Sequence, residues 1–177
     1  MRLFVALDLP WPLRARLTQL AVGLPGVRWM TPDNLHLTLR FIGEVPNWRA
    51  EEIDLALHAI KTRCFPLVLT GVGLFEKAGR VTALWAGIER SPQLEHLQAK
   101  IETALQRAGL EPERRRFTPH VTLARLDQPA SDKITRFVQG NNLFRAESFL
   151  VEHFTLFSSQ LGKEGSVYTA ESDYRLS

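Results

Sequence analysis

The sequence is poor in features that mark several large classes of protein. It has a single cysteine, Cys64, in 177 residues, so it can form neither an internal disulfide nor a cysteine-rich zinc site. Its longest uncharged stretches, residues 17–27 and 64–75, are well short of the roughly 18 apolar residues that a membrane-spanning helix needs. We therefore expect neither a disulfide scaffold nor a membrane protein.

The amino terminus also lacks the features of a secretory signal. Its apolar run, residues 3–7, is interrupted by Asp8 and Pro10 before it reaches the length of a signal-peptide core, and no small-residue cleavage site follows. From these features we expect a cytoplasmic protein.

Net charge is small. Against 19 Asp and Glu there are 22 Lys and Arg, which gives +3 at pH 7, too little to mark a nucleic-acid-binding protein by itself. Of the 22 basic residues, 17 are arginines, and the planar guanidinium group suits phosphate. Charge is thus compatible with an anionic ligand without requiring one.

Hydrophobic periodicity predicts an alternating chain of strands and helices. A hydrophobic content of 45% is ordinary for a globular protein of one domain or of two small lobes. Ser91 is predicted to cap the third helix. The predicted strands span residues 2–8, 27–30, 35–42, 65–75, 81–88, 121–126, 147–157 and 166–172, and the predicted helices span residues 10–24, 48–62, 92–108 and 132–138.

A weak internal repeat organises these elements. A strand, a helix and the strand containing His36 are followed, 84 residues later, by a strand, a helix and the strand containing His120. The repeat predicts an α+β protein in which residues 1–177 form one domain of two related, mostly antiparallel sheets. We expect helices behind the sheets and a cleft between the two lobes.

The strands at corresponding places of the repeat share a His-x-Thr motif. Strand alternation predicts that His36, Thr38 and Arg40 share one face, with their apolar neighbours Leu35, Leu37, Leu39 and Phe41 on the core side.

In the second motif, His120 and Thr122 share a face in the same way. Arg125 has the wrong parity for that face, and it joins the other two only if the strand bulges or ends there.

Two histidines, one from each lobe, suit the hydrolysis of a phosphodiester. One imidazole can take a proton from water while the other protonates the leaving oxygen, and histidine titrates near neutral pH. Threonine hydroxyls and an arginine can donate hydrogen bonds to the non-bridging phosphate oxygens. A third His-x-Thr, at His153 and Thr155, lies in a late strand without a counterpart in the repeat. We therefore predict no catalytic role for His153.

Other site types have no support in the sequence. It contains no phosphate-binding GxxxxGK[ST] loop, GxGxxG fingerprint, GxSxG elbow or HExxH helix. No metal site is recognisable, and we predict that the protein needs no cofactor. The basic run Arg114–Arg116 either contacts an RNA phosphate or is ordinary solvated charge, and the sequence leaves both interpretations open.

The two motifs carry a family resemblance. The segments NLHLTLRFIGEV and RRFTPHVTLAR, together with the opening RLFVALDLP, resemble the two-histidine (2H) phosphoesterase superfamily, and within it the RNA 2′,3′-cyclic phosphodiesterases historically called 2′-5′ RNA ligases. The resemblance covers essentially the whole chain. It implies a bilobal fold and metal-independent opening of a terminal 2′,3′-cyclic phosphate to a 2′-phosphate, with weak reversible 2′-5′ ligation in some members.

The resemblance also assigns roles to residues. It implies that His36 and His120 are the catalytic pair, and that Thr38, Thr122 and Arg125 bind the substrate phosphate. Arg40 departs from the apolar or small residue common at its position, so the resemblance gives it no role. The expected partners are RNA ends or nucleotides that bear a 2′,3′-cyclic phosphate, and we expect a monomer that does not associate with membranes.

Two alternatives stay open. One is a phosphodiesterase for another small substrate, such as ADP-ribose cyclic phosphate or a 2′-5′ oligoadenylate. The other is a nucleotide- or RNA-binding module without turnover. The presence of both histidines argues against the second, because binding alone requires only hydrogen-bond donors.

Overall fold

The computed structural model describes residues 1–177 as an α+β fold of ten strands and four α-helices. None of the helices is long and apolar enough to span a lipid bilayer. The strands are β1 Arg2–Asp8, β2 Arg28–Trp29, β3 His36–Glu44, β4 Phe65–Leu67, β5 Leu69–Lys77, β6 Arg80–Ile88, β7 His120–Pro129, β8 Phe149–Val151, β9 His153–Gly162 and β10 Gly165–Arg175. The helices are α1 Trp11–Thr18, α2 Asn47–His58, α3 Pro92–Arg107 and α4 Asp132–Gly140, with a short 3-10 turn at Pro32–Asn34.

All strand pairs are antiparallel, and they form two halves that meet edge to edge. The strand order is β10-β9-β1-β3-β7-β6-β5, while β2 pairs with β7 and β4 pairs with β8 in a separate ribbon. Between β3 and β7, which join the two halves, the ladder has one residue pair, Leu37 with Val121. The predicted fold of two antiparallel lobes is confirmed, and within the main sheet the two halves are joined through this one residue pair.

Buried side chains of all four helices pack against one side of this sheet. A cluster of 29 buried residues includes the predicted stripe of α3, in which Leu97, Ile101 and Leu105 are 0% exposed. The hydroxyl of Ser91 accepts a hydrogen bond of 3.1 Å from the Leu94 amide, so the predicted helix cap is confirmed. Because the helices cover one face, the other face of the sheet is free to form the cleft.

Helix α1 is shorter than predicted. It ends at Thr18, whose hydroxyl donates to the Arg14 carbonyl. The next amides, of Leu20 and Ala21, bond to carbonyls only three residues back, which tightens the chain into turns before Gly23. Leu20 has the apolar spacing of a helical residue, but it lies beyond the end of the helix, so the sequence pattern predicted a helix that is too long.

Two strands predicted as continuous are each divided between the two sheets. The predicted strand 65–75 breaks at Val68, and the predicted strand 147–157 breaks at Glu152. The short strands before the breaks, β4 and β8, pair with each other. The strands after the breaks, β5 and β9, belong to the main sheet. Alternation continues across the first break, where Phe65, Leu67 and Leu69 are all buried, so the sequence gives no sign of it. At the second break, the polar residues Glu152 and His153 interrupt the apolar pattern.

Candidate active site

Within the main sheet, the junction between the two lobes lies at the centre of both His-x-Thr motifs. Leu37 and Val121 are the middle residues of the two motifs, are each other's ladder partners, and are both 0% exposed on the helical side. Side chains alternate along a strand, so the flanking His36, Thr38, His120 and Thr122 all point to the opposite side. In this register each histidine lies across from the threonine of the other motif. The junction therefore brings the two histidines and two threonines to one face.

A β-bulge places Arg125 on that same face. Strand β7 pairs with β6 as His120 with Gly87, Thr122 with Trp85 and Arg125 with Ala83, with a register shift at Leu123. Alternate residues of β6 share a face, so their partners share it too. The extra residue at Leu123 thus removes the parity conflict, and Arg125 lies exposed on the cleft side beyond Thr122.

A second bulge overturns the prediction for Arg40. Strand β3 pairs with β1 as Thr38 with Ala6 and Arg40 with Val5, which leaves Leu39 as the extra residue. Val5 belongs to the core side, so Arg40 points away from His36 and Thr38 and is only 7% exposed. The same shift brings Phe41, predicted to be a core residue, to the cleft side, where it is 50% exposed.

Arg40 instead ties the two lobes together on the helical side. Its Nε donates to Glu102 of α3 at 2.6 Å, and its Nη2 donates to the Glu111 carbonyl at 2.6 Å. Glu102 also accepts from the Glu113 amide at 2.9 Å. Burial alone would raise the pKa of Glu102, but the hydrogen bonds from Arg40 and the Glu113 amide lower it on balance. The pair therefore anchors β3 of one lobe to the loop that leads into β7 of the other.

His36 lies in an aromatic pocket. Its ring is 4.5 Å from that of Phe157, 5.6 Å from Tyr168 and 6.3 Å from Phe4, centroid to centroid. Its Nδ1 is buried without a hydrogen-bond partner. Burial is the main reason that the pKa of His36 falls from 6.5 to about 4, so the free protein carries His36 as a neutral imidazole at pH 7.

One carboxylate faces this histidine. Asp8 is the ladder partner of His36, and its Oδ1 lies 4.0 Å from His36 Nε2. Asp8 also pairs with Arg14, whose Nε donates to the Leu9 carbonyl at 2.7 Å. The Asp8 charge raises the pKa of His36 and partly offsets the effect of burial, while Arg14 lowers it. Asp8 is thus the acidic group placed to favour a proton on His36.

We expect the stability of the protein to fall as pH drops from about 6.5 towards 4. In this window unfolded His36 binds a proton and folded His36, with a pKa of about 4, does not, so protons favour the unfolded state. Between pH 7 and 4.5 this amounts to about 2 kcal/mol. Urea unfolding at both pH values tests it: His36→Gln should lose less stability than the wild-type protein, and equal losses would contradict it.

His120 is held in a different way. Its Nδ1 lies 2.6 Å from the Thr118 carbonyl, which is an acceptor only, so Nδ1 carries the hydrogen and Nε2 keeps its lone pair when the ring is neutral. Burial lowers the pKa of His120, the Thr118 carbonyl opposes this, and Arg125 lowers it further. His120 is therefore a neutral imidazole with a free Nε2.

Two rings of the second lobe support His120. Phe75 meets its ring edge-on at 4.9 Å, and Trp85 lies at 6.5 Å. Trp85 fits because its ladder partner is Gly73, where a Cβ would come within 2.3 Å of the indole. Gly73 thus gives the indole room, while Gly71 lies at the bulge between Leu69 and Val72, with φ of 72°.

The third His-x-Thr motif lies apart from the junction. Its strand, β9, pairs with β1 and is separated by β1 from β3. Thr155 is 1% exposed and donates to Asp173 at 2.6 Å, so its hydroxyl is already used inside the protein. This position supports the prediction that His153 has no catalytic role, which stays a prediction.

Sequence reasoning missed several groups at the cleft. Asp8 ends the first predicted strand, and its position opposite His36 follows only from the pairing of β1 with β3. Tyr168 reaches His36 from β10, and Arg28 lies beside Arg125 on β2. Nowhere do three His, Cys, Asp or Glu side chains cluster closely enough to hold a metal ion.

Comparison with known proteins shows which family this sequence resembles. Residues 10–163 match the model of the 2′-5′ RNA ligase superfamily. A protein of Aeropyrum pernix, named RNA 2′,3′-cyclic phosphodiesterase, is 33% identical over 82% of this chain and 84% of its own. A protein of Escherichia coli with the same name is 32% identical over 95% and 92%.

Solved structures agree with the sequence matches. The crystal structure of Escherichia coli LigT complexed with 3′-AMP superposes with a TM-score of 0.83 at 27% identity, covering 99% of this chain and 97% of that one. LigT has also been solved with ATP and with NADP+. Sequence and fold therefore point to the same group of proteins.

Proposed function

The chain belongs to the 2′-5′ RNA ligase superfamily, and on this basis we propose that it is a hydrolase that opens 2′,3′-cyclic phosphates on RNA ends or nucleotides to give 2′-phosphates. The observation that carries the proposal is the pairing of Leu37 with Val121, which turns both His-x-Thr motifs to one face. The relatives named RNA 2′,3′-cyclic phosphodiesterase support the same activity.

In this mechanism His120 is the general base. Its Nε2 lone pair is free because Nδ1 donates to Thr118, so Nε2 takes a proton from a water molecule as the water oxygen attacks phosphorus. The lowered pKa of His120 keeps the ring unprotonated at neutral pH. The new P–O bond forms as the bond from phosphorus to O3′ breaks, which leaves the phosphate on O2′.

His36 is the general acid and protonates the departing O3′. With a pKa of about 4 it is neutral in the free protein, so it must gain its proton together with the substrate. The cyclic phosphate brings a negative charge next to the ring, and that charge raises the pKa of His36. Asp8, 4.0 Å from Nε2, acts in the same direction. Solvent then returns the proton to His36 and removes the one held by His120.

Thr38, Thr122 and Arg125 hold the phosphate. Their hydroxyl and guanidinium donors lie on the face of the two histidines, where they can bond the non-bridging oxygens as negative charge develops. Arg125 makes no ion pair within the protein, so both arms of its fork are free for a bidentate contact. Attack by the 5′-hydroxyl of a second RNA in place of water would give a 2′-5′ linkage at the same site, which is the weak ligation that the family resemblance implies for some members.

The proposal treats residues 1–177 as one functional domain of two pseudo-repeated lobes. One cluster of 29 buried residues draws on both lobes, and the site needs a strand from each. The predicted monomeric state and cytoplasmic location stay predictions. That nucleotides are its ligands is supported by the structures of LigT with 3′-AMP, ATP and NADP+.

A side-by-side assay tests the proposed activity. We expect an oligonucleotide ending in a 2′,3′-cyclic phosphate to be converted to the 2′-phosphate, at an unchanged rate in EDTA, because the two imidazoles make the proton transfers that a metal-bound hydroxide would otherwise supply. Phosphorus NMR distinguishes 2′- from 3′-phosphate. ADP-ribose cyclic phosphate and a 2′-5′ dinucleotide are the competing substrates.

Other results of this assay would favour one of the alternative functions or contradict the metal-free mechanism. Faster turnover of either competitor would favour the alternative phosphodiesterase, and tight binding without turnover would favour a binding module. Loss of activity in EDTA that a divalent ion restores would contradict the metal-free mechanism.

A further inference from the structure

Strand β2 has only two residues, and it places one of them in the cleft. Trp29 pairs with Ala124, and its ring packs 5.6 Å from that of Phe137 on the helical side. Arg28 pairs with Arg125, and directly opposite residues of an antiparallel pair share a face. Because Trp29 anchors the short strand from behind, Arg28 is held on the side of the two histidines.

The pairing of Arg28 with Arg125 places two positive charges side by side. Like charges directly across an antiparallel pair repel. Neither guanidinium makes an ion pair or a hydrogen bond within the protein, whereas Arg14 and Arg40 are each tied to a carboxylate, of Asp8 and Glu102. An anion bound between or beside the two exposed arginines would relieve this repulsion.

Arg28 lies beside Arg125 but extends towards the other lobe. Val121 pairs with Ala86 and Arg125 with Ala83, so both arginines lie three ladder steps, roughly 10 Å, from the lobe junction. Arg28 reaches across to the other lobe, where its Nη2 is 3.4 Å from the position of a Cβ on Gly165. His120, Thr122, Arg125 and Arg28 thus form a row of donors that leads away from the reaction centre along one wall of the cleft.

We propose that Arg28 binds the internucleotide phosphate next to the terminal cyclic phosphate, so that RNA ends are better substrates than nucleoside cyclic monophosphates. This inference rests on the proposed function and assigns its substrate class. A nucleoside 2′,3′-cyclic monophosphate has one phosphate, and Arg125 and the two threonines bind it. An RNA end has a second phosphate one nucleotide away, and Arg28 is the unpaired cation next along the row.

Two substrates that differ by one phosphate test the inference. We compare kcat/KM for cytidine 2′,3′-cyclic monophosphate with that for a dinucleotide ending in the same cyclic phosphate. The ratio of dinucleotide to mononucleotide should fall about tenfold in Arg28→Ala, since an exposed charge-assisted hydrogen bond is lost. Arg28→Lys, which keeps the charge but not the fork, should keep part of the preference.

The salt dependence gives a second readout. Salt screens exposed charge pairs, so kcat/KM for the dinucleotide should fall less steeply with added salt in Arg28→Ala than in the wild-type protein. Arg107→Ala is the matched control. Arg107 lines a groove between α2 and α3 on the helical side, so its removal changes net charge equally without touching the cleft.

The outcomes separate this inference from the proposed function. If the wild-type protein hydrolyses neither substrate, the proposed function fails and the inference with it. If it hydrolyses both and Arg28→Ala leaves the ratio within twofold of wild type, the inference alone is overturned. The same holds if Arg107→Ala lowers the ratio as much as Arg28→Ala does.

Discussion

Replacing either His36 or His120 with alanine is expected to lower the rate of cyclic phosphate hydrolysis by roughly 10²- to 10⁴-fold, the usual contribution of a positioned general acid or base. Each ring supplies one of the two proton transfers that the reaction needs. The measurement is kcat on a 2′,3′-cyclic nucleotide, with circular dichroism to confirm folding. Because His36 is only 8% exposed, His36→Gln is included as a variant that leaves a smaller cavity.

The third motif provides the control for this experiment. His153→Ala removes the same residue from the same sequence pattern, but from a strand that lies away from the lobe junction. We expect its turnover within a few fold of wild type and a loss of stability of about 1 kcal/mol, as for most point substitutions. Near-wild-type rates in folded His36 or His120 variants, or a deep defect in His153→Ala, would show that the wrong pair was chosen.

Arg125→Ala should reduce kcat/KM by roughly 10²-fold, comparable to the loss of a preorganised donor at a developing negative charge. Arg125→Lys should stay clearly impaired because a lysine cannot reproduce the bidentate fork. Arg125 also lowers the pKa of His120, so its removal should move the acidic limb of the kcat/KM profile to higher pH. Both quantities come from one set of pH–rate measurements.

This pH shift distinguishes the loss of a positive charge beside His120 from a merely structural effect. A destabilised but otherwise intact site would lose activity without moving the titration of His120. If both Arg125 variants turned over like the wild-type protein at every pH, Arg125 would lie outside the working site despite its position on the cleft face.

The sequence was a good guide to the elements and to the histidines, because both depend on local patterns. Apolar alternation located β3 and β7 and predicted which side of each strand His36 and His120 occupy. Alternation stopped predicting the correct face beyond each histidine, because β3 has an extra residue at Leu39 and β7 has one at Leu123. A bulge reverses parity without changing composition, so Arg40 was assigned to the wrong face, and Arg125 could be placed only conditionally.

The surroundings of the histidines were beyond the reach of the sequence for a different reason. Asp8 and Tyr168 approach His36 from β1 and β10, and only the strand order brings these positions together. The depressed pKa of His36 depends on that enclosure. From sequence alone both histidines were expected to titrate near neutrality, whereas the folded chain lowers the pKa of each by burial.

The junction at Leu37 and Val121 makes the site an isologous contact inside one chain. A two-fold rotation between these residues exchanges His36 with His120 and Thr38 with Thr122, as the symmetry axis of a homodimer exchanges identical groups of its two subunits. Symmetry of that kind gives two equal imidazoles, and hydrolysis needs two unequal ones. The difference is made by what a single chain can vary independently: Asp8 beside one ring, and the Thr118 carbonyl and Arg125 beside the other.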